Sequence, residues 1–180
     1  MKLMIASDLH GSSYFVAKLA ERIKSEKPDK ILLLGDLLYQ GPRNDLPELY
    51  NTKVVAALLN ERKNMFLCVR GNCDTEVDQM VLDFPILADY ALVEVDGHTI
   101  FATHGHIYNC ANLPPIGTGD ILIHGHTHIP EHTSRGDVLI LNPGSVSIPK
   151  AGSCNSYMVY ENHIFQWKNL DGEVYDTLAV

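Results

Sequence analysis

The chain has 180 residues, 46% of them hydrophobic, which is enough for one complete core and short for two, so residues 1–180 are expected to form a single domain. The net charge of −8 argues against tight, non-specific binding to a polyanion, because no basic stripe is present to displace counterions. No apolar run is long enough to span a bilayer, and Cys68, Cys73, Cys110 and Cys154 form no CxxC pair, so reduced thiols in a soluble, cytoplasmic protein are expected rather than a zinc ribbon or a disulfide framework.

In chain order, LMIAS is the first short apolar run and reads as a buried strand. The following SSYFVAKLAERIKSEKP places Phe15, Leu19 and Ile23 at helical spacing, with Ser12 or Ser13 as cap and Pro28 as stop. KILLLG is the next strand. A second helix is predicted from about Thr52 to Arg62, with Val55, Leu58 and Leu59 buried, before the strand in MFLCVRG. The second half is mostly strand. Asp96-Gly97 between two apolar runs marks a tight hairpin, DILIHG and VLILN are buried strands, and further turns fall at Arg135-Gly136-Asp137 and Glu161-Asn162. This pattern predicts an α/β protein with two sheets packed face to face and helices outside.

The apolar runs deliver polar groups at their ends. LMIAS leads to Asp8-Leu9-His10, KILLLG to Asp36, MFLCVRG to Asn72-Cys73-Asp74, TIFAT to His104-Gly105-His106, and DILI to His124, His126 and His128. Taken singly, each is an ordinary turn residue, helix cap or surface histidine. Taken together, five strand ends supply oxygen and imidazole donors to the carboxyl edge of a sheet, where ligands of α/β proteins sit. Mixed carboxylate, carboxamide and imidazole donors favour Mn, Fe, Zn, Co or Ni over calcium. Seven side chains exceed what one ion needs, whereas two ions sharing a bridging carboxylate would use them. Ions roughly 3.5–4 Å apart recur where phosphate esters are hydrolysed.

With these blocks the sequence resembles the calcineurin-like metallophosphoesterase superfamily, and within it the YfcE-like bacterial phosphodiesterase branch. The matching blocks are Asp8-Leu9-His10, Gly35-Asp36, Gly71-Asn72-Cys73-Asp74, His104, and Gly125-His126-Thr127-His128, in the family's order, followed by Asn142-Pro143-Gly144-Ser145. The resemblance implies a four-layer α/β/β/α sandwich, two mixed β-sheets flanked by helices. It implies two divalent ions per chain, with manganese first and nickel, zinc, iron or cobalt as alternatives. Asp8, His10 and His128 would hold one ion, Asn72, His104 and His126 the other, and Asp36 would bridge them. A water or hydroxide between the ions is the implied nucleophile.

Catalytic roles are assigned to Cys73, Asn72 and His104, and substrate contacts to Arg43, Asn44, Cys73 and His106. Two positions depart from the protein-phosphatase pattern. Cys73 replaces the histidine that protonates the leaving group there, and a thiol with an ordinary pKa of about 8.5 is a poorer general acid, which favours diesters with good leaving groups. Gln40 stands where those phosphatases place a phosphate-clamping arginine, leaving Arg43 and Asn44 of the loop YQGPRNDLPELY to reach the crevice. Arg70 reads equally well as a structural ion-pair partner, and His98, His132 and His163 as surface residues. His124 precedes the matched block and is read as a packing or supporting residue.

The resulting function is a metal-dependent phosphoric diester hydrolase acting on small or nucleotide-like phosphodiesters, with no stable nucleic-acid complex and no membrane association. The alternative is a non-catalytic protein-interaction scaffold on the same fold, and a nuclease is a third, less favoured reading given the charge. Ile107, Leu113 and Ile116 are candidates for a subunit contact in a homo-oligomer.

Overall fold

The apolar runs become strands of three to six residues because each is too short and too rich in Ile, Leu and Val to favour a helix. The computed structural model describes every residue from Met1 to Val180. In chain order the elements are β1 (Leu3–Ala6), α1 (Ser13–Glu26), β2 (Lys30–Leu33), α2 (Thr52–Asn60), β3 (Phe66–Cys68) and α3 (Glu76–Gln79). Eight strands follow: β4 (Tyr90–Val95), β5 (His98–Thr103), β6 (Ile121–Ile123), β7 (Pro130–Arg135), β8 (Val138–Pro143), β9 (Ser156–Glu161), β10 (Ile164–Asn169) and β11 (Val174–Ala179).

Six strands form one mixed sheet in the order β11-β10-β9-β1-β2-β3, and five form the other in the order β4-β5-β6-β8-β7. Strands β1, β2 and β3 run parallel, as do β5, β6 and β8, so in each sheet three carboxyl ends face the same way. The inner faces meet in a core that includes Ile5, Leu32, Ile100, Ile123, Met158 and Trp167. On the outside of the six-stranded sheet, α1 and α2 bury Val16, Leu19, Ile23, Val55 and Leu59 against Met4, Ala6 and Leu33.

The local signals explain the boundaries. Ser12 caps α1 by accepting from the Phe15 amide, and the helix ends where Lys27 turns left-handed before Pro28. Helix α2 stops at Asn60, two residues before the predicted Arg62, and its buried stripe is Val55, Ala56 and Leu59, with Leu58 only partly covered. Asp96 and Gly97 both take positive φ in the two-residue turn joining β4 to β5, as such a hairpin requires.

Two mixed sheets with flanking helices match the expected class. The outer layer over the five-stranded sheet, however, is built by an irregular segment rather than a helix: Tyr108, Cys110, Leu113 and Ile116 pack on Phe101, Leu122, Val138 and Ile140. Leu113 and Ile116, two of the candidate subunit contacts, are therefore partly spent on this sheet, and Ile107 alone of the three stays exposed. No helix is long and apolar enough to cross a membrane.

Candidate metal centre

Three of the parallel strands, β1, β2 and β6, lead into backbone that turns left-handed. Asp8, His10, Asp36, His126 and His128 all have φ between 44° and 67°. This conformation costs a non-glycine residue roughly 1–2 kcal/mol, and Asp and His are among the side chains that tolerate it best. Strand alternation therefore breaks at these three strand ends, and the side chains turn into one shared space with Asn72 and His104. Glycines admit the close approach: a Cβ on Gly71 would collide with the Asp36 carboxylate, and one on Gly125 with the Ser7 hydroxyl.

Two groups of ligand atoms result. In the first, His128 Nε2 is 3.2 Å from both Asp8 Oδ1 and His10 Nε2, and His10 Nε2 is 3.6 Å from Asp8 Oδ1. In the second, His104 Nε2 is 3.0 Å from Asn72 Oδ1, 3.2 Å from His126 Nδ1 and 3.5 Å from Asp36 Oδ2. Asp36 Oδ2 is also 3.7 Å from His10 Nε2, so its carboxylate lies between the groups. All seven expected ligands are thus brought together.

The hydrogen bonds behind the imidazoles decide which nitrogen faces inward. His10 Nδ1 donates to the Tyr39 carbonyl (2.8 Å), His104 Nδ1 to that of Leu34 (2.7 Å) and His128 Nδ1 to that of Ile148 (2.6 Å). A carbonyl can only accept, so each Nδ1 carries a proton and each Nε2 is the atom turned to the cluster, a lone-pair donor whenever the ring is neutral. The His10 and His128 Nε2 atoms then face each other, and at most one can hold a proton. Asp8 Oδ1 is buried beside them and accepts no hydrogen bond. An orphaned buried carboxylate oxygen among converging imidazole lone pairs suits a cation, and the residues present fit divalent ions.

The electrostatics agree. Burial pushes the Asp8 carboxyl up, but the adjoining imidazoles of His10 and His128 and the field of His104 outweigh it and hold it well below the usual range. Burial opposes charge on His104, yet Asp36 and Asp8 lift it to about 9. Burial and the neighbouring His104 instead push His126 down to about 4. Cys73 is raised to about 12 by burial and by Asp36, so its sulfur is a neutral thiol, even though its Sγ lies within 4.8 Å of ligand atoms of His10 and Asp36.

The cluster is held by residues whose role the sequence reading did not foresee. Asp74, read there as a turn or cap residue, is buried and accepts from the amides of Asp36 (2.8 Å), Leu37 (2.9 Å) and Gly71 (2.8 Å), locking the two ligand loops together. Thr75, rather than Asn72 or Asp74, caps α3. Asn142 donates to the Gly125 carbonyl and to Thr127 Oγ1, both at 3.0 Å, and the Ser145 hydroxyl donates to the Asp8 carbonyl at 2.8 Å. The Asn142-Pro143-Gly144-Ser145 block thus braces the loops of Asp8 and His126. His124 is buried, points away from the ligands with Nδ1 3.0 Å from the Gly125 carbonyl, and leaves its Nε2 without a partner.

A cavity of about 170 Å³ opens onto the cluster, lined by Asp36, Asn72, Cys73, His126 and His128 and by Pro42, Arg43, Asn44 and Lys150. Arg43 and Asn44 therefore border it, as expected, although the Asn44 amide is tied to the Gln40 carbonyl at 2.8 Å. Lys150 was not foreseen, being an isolated lysine in the sequence. His106 is exposed and borders the cluster without lining the cavity, its ring centroid 5.4 Å from that of His104 and 6.2 Å from that of His126. Arg70 donates through Nε to the Asp74 carbonyl (3.1 Å) and pairs with Glu76 at 3.6 Å, the structural role weighed for it.

Comparison with known proteins places this arrangement. Residues 1–163 match the calcineurin-like phosphoesterase superfamily domain. The chain is 46% identical over 164 residues to phosphodiesterase YfcE of Escherichia coli K12, covering 91% of this chain and 89% of that protein. It is 27% identical over 151 residues to phosphodiesterase MJ0936 of Methanocaldococcus jannaschii, covering 80% and 83%. A solved structure of YfcE, a phosphoesterase from E. coli, superposes with a TM-score of 0.96 at 43% identity over 99% of each chain. Vacuolar protein sorting 29 from Cryptosporidium parvum shares the fold, with a TM-score of 0.64 at 18% identity over 99% of this chain and 98% of that one. The match across nearly the whole length, together with the ligand blocks in their order, makes this chain a member of the calcineurin-like phosphoesterase superfamily.

Proposed function

We propose that the protein is a metal-dependent phosphodiesterase that hydrolyses small or nucleotide-like phosphodiesters at a two-metal centre. The observation that carries this reading is the pair of converging ligand groups joined by Asp36, with the buried Asp8 Oδ1 left without a hydrogen-bond donor. Asp8, His10 and His128 would hold one ion, Asn72, His104 and His126 the other, and Asp36 would touch both. Bound there, two divalent ions, manganese in our reading, supply an activated water and offset charge on the phosphoryl oxygens.

The chain's own residues do the positioning. The carbonyls of Tyr39, Leu34 and Ile148 fix the imidazoles as lone-pair donors. Arg43 and Lys150, at the rim of the cavity, draw the anionic diester toward the cluster. Cys73, a neutral thiol, offers only weak help to a departing alkoxide, so the reaction favours diesters whose leaving group needs no strong acid. In the same reading the chain is one domain with no stable nucleic-acid complex, and its four free thiols suit the reducing cytoplasm. Exposed Ile107 would contribute to contact between copies.

Hydrolysis of a chromogenic diester by metal-stripped protein, with and without added manganese, tests the proposal. Metal-stimulated turnover is expected; a protein that binds manganese yet shows none is a scaffold. Measuring diester and monoester rates in Cys73→His and Cys73→Ala tests the role of the thiol. The histidine variant should shift the ratio toward monoesters, and an unchanged ratio and diester rate in both would make Cys73 a bystander.

A further inference from the structure

The cavity over the ligand cluster is small and polar, with Cys73 its one hydrophobic wall. At about 170 Å³ it can take a phosphoryl group and a short substituent, but it falls below the roughly 300 Å³ at which pockets begin to enclose a whole organic ligand. A second cavity of about 420 Å³ adjoins it. This one is mostly apolar, walled by Tyr39, Tyr50, Ala56, Val77 and Val81.

Cys73 lines both spaces. Because its Sγ lies within 4.8 Å of ligand atoms of His10 and Asp36, the apolar cavity begins one side chain away from the candidate metal centre. The loop after β2 divides the two, with Leu38 and Tyr39 walling the apolar side and residues 41–44 the polar side. Gly41 passes close to the sulfur, where an added Cβ would stand 3.2 Å from it. Both tyrosines are tied to the ligand-bearing loop: the Tyr39 carbonyl accepts from His10, and the Tyr50 ring packs against Gly11. Val77 and Val81 remain 71% and 52% exposed at the rim, apolar surface that no other part of the chain covers.

A phosphodiester carries two organic groups, and the polar cavity has room for little beyond the phosphate. We infer that the second cavity is a subsite for an aromatic group esterified to that phosphate, an aryl ring or a nucleobase, which lies past Cys73 between Tyr39, Tyr50 and Val77. The inference rests on the phosphodiesterase reading above. Two tyrosine rings provide flat apolar faces, and the small side chain at position 73 leaves the passage that a larger one would narrow.

Direct binding tests this without turnover. Calorimetry of manganese-loaded protein with phenylphosphonate and methylphosphonate should show the phenyl compound binding about ten-fold more tightly, as expected for one buried ring. That preference should fall to about two-fold or less in Tyr39→Ala and in Val77→Asp, two exposed positions whose replacement spares the core. Equal binding of the two phosphonates, or a preference unmoved in both variants, overturns the subsite alone. Failure of either phosphonate to bind the metal-loaded protein overturns the phosphodiesterase reading and the subsite with it. Competition by a nucleoside 5′-monophosphate separates the two sources: displacing phenylphosphonate more readily than inorganic phosphate does assigns a nucleobase, and displacing it no better assigns a simple aryl ester.

Discussion

The two ends of β1 carry charge in opposite ways. Before the strand, Lys2 meets Glu26 at 3.0 Å, and the same carboxylate accepts from Lys168 and, at 3.0 Å, from the Tyr157 hydroxyl. There the charges satisfy one another. After the strand, Asp8 and Asp36 lie among the imidazoles of His10, His104 and His128, Asp8 Oδ1 accepts nothing, and the two carboxylates raise the His104 pKa to about 9. A self-contained ion network is complete within the protein, whereas a ligand cluster is complete only with something the chain does not encode. The hydrogen-bond accounting tells the two apart.

The contrast can be broken experimentally, starting with the bridging carboxylate. Asp36→Asn should lower diester hydrolysis about 10³-fold or more, because both ligand groups lose their shared donor. A loss below ten-fold would remove Asp36 from the centre. Next, manganese at about a hundred times its dissociation constant should stabilise the wild type by about 2.7 kcal/mol, read as a rise of roughly 5–10 °C in melting temperature. Asp8→Asn should abolish much of that rise and Glu26→Gln should preserve it; equal responses would erase the distinction between the two ends of the strand.

A smaller effect is expected behind the ligands. Asp74→Asn keeps the shape but weakens the grip on three amides, and should reduce metal affinity or activity about 10–100-fold, as losses of supporting partners do. Unchanged metal affinity and activity would make the brace dispensable. The smallest effect belongs to the self-satisfied end, where Glu26→Gln should cost about 1–2 kcal/mol at pH 7 in urea unfolding. Burial raises the Glu26 pKa, but Lys168, Lys2 and Tyr157 outweigh it and hold it below its ordinary 4.5. Its contribution is therefore present above pH 4.5 and fades as pH falls through the lowered folded-state value. The gap between wild type and variant should narrow by pH 3; a gap constant with pH would show that the charge is not what matters.

Much of the site was legible because its donors sit at fixed offsets from apolar runs, and those runs have to be strands. The three alternating histidines show the limit. Alternation alone would put His124, His126 and His128 on one face; the family resemblance already separated His126 from His128 and set His124 aside, and the folded chain supplies the reason, left-handed backbone that turns His126 and His128 into different ligand groups. Asp74 and Lys150 were opaque for another reason. An acidic residue before a short helix has an ordinary capping role, and a lone lysine after a proline has no periodicity, so nothing local marks either.

By itself the sequence determined the strands, the first helix and its caps, the hairpin at Asp96-Gly97 and the inventory of donors, because these depend on contacts between near neighbours in the chain. Only the tertiary structure decided which donors share a space, which imidazole nitrogen faces inward, how the outer layer of the second sheet is built, and that an apolar cavity adjoins the polar one at Cys73. Those features depend on carbonyls, walls and loops contributed by segments far apart in sequence, such as Ile148 behind His128 and Asn142 beneath Gly125. Their relative placement is fixed by the packing of two sheets on one another, and no local pattern records it.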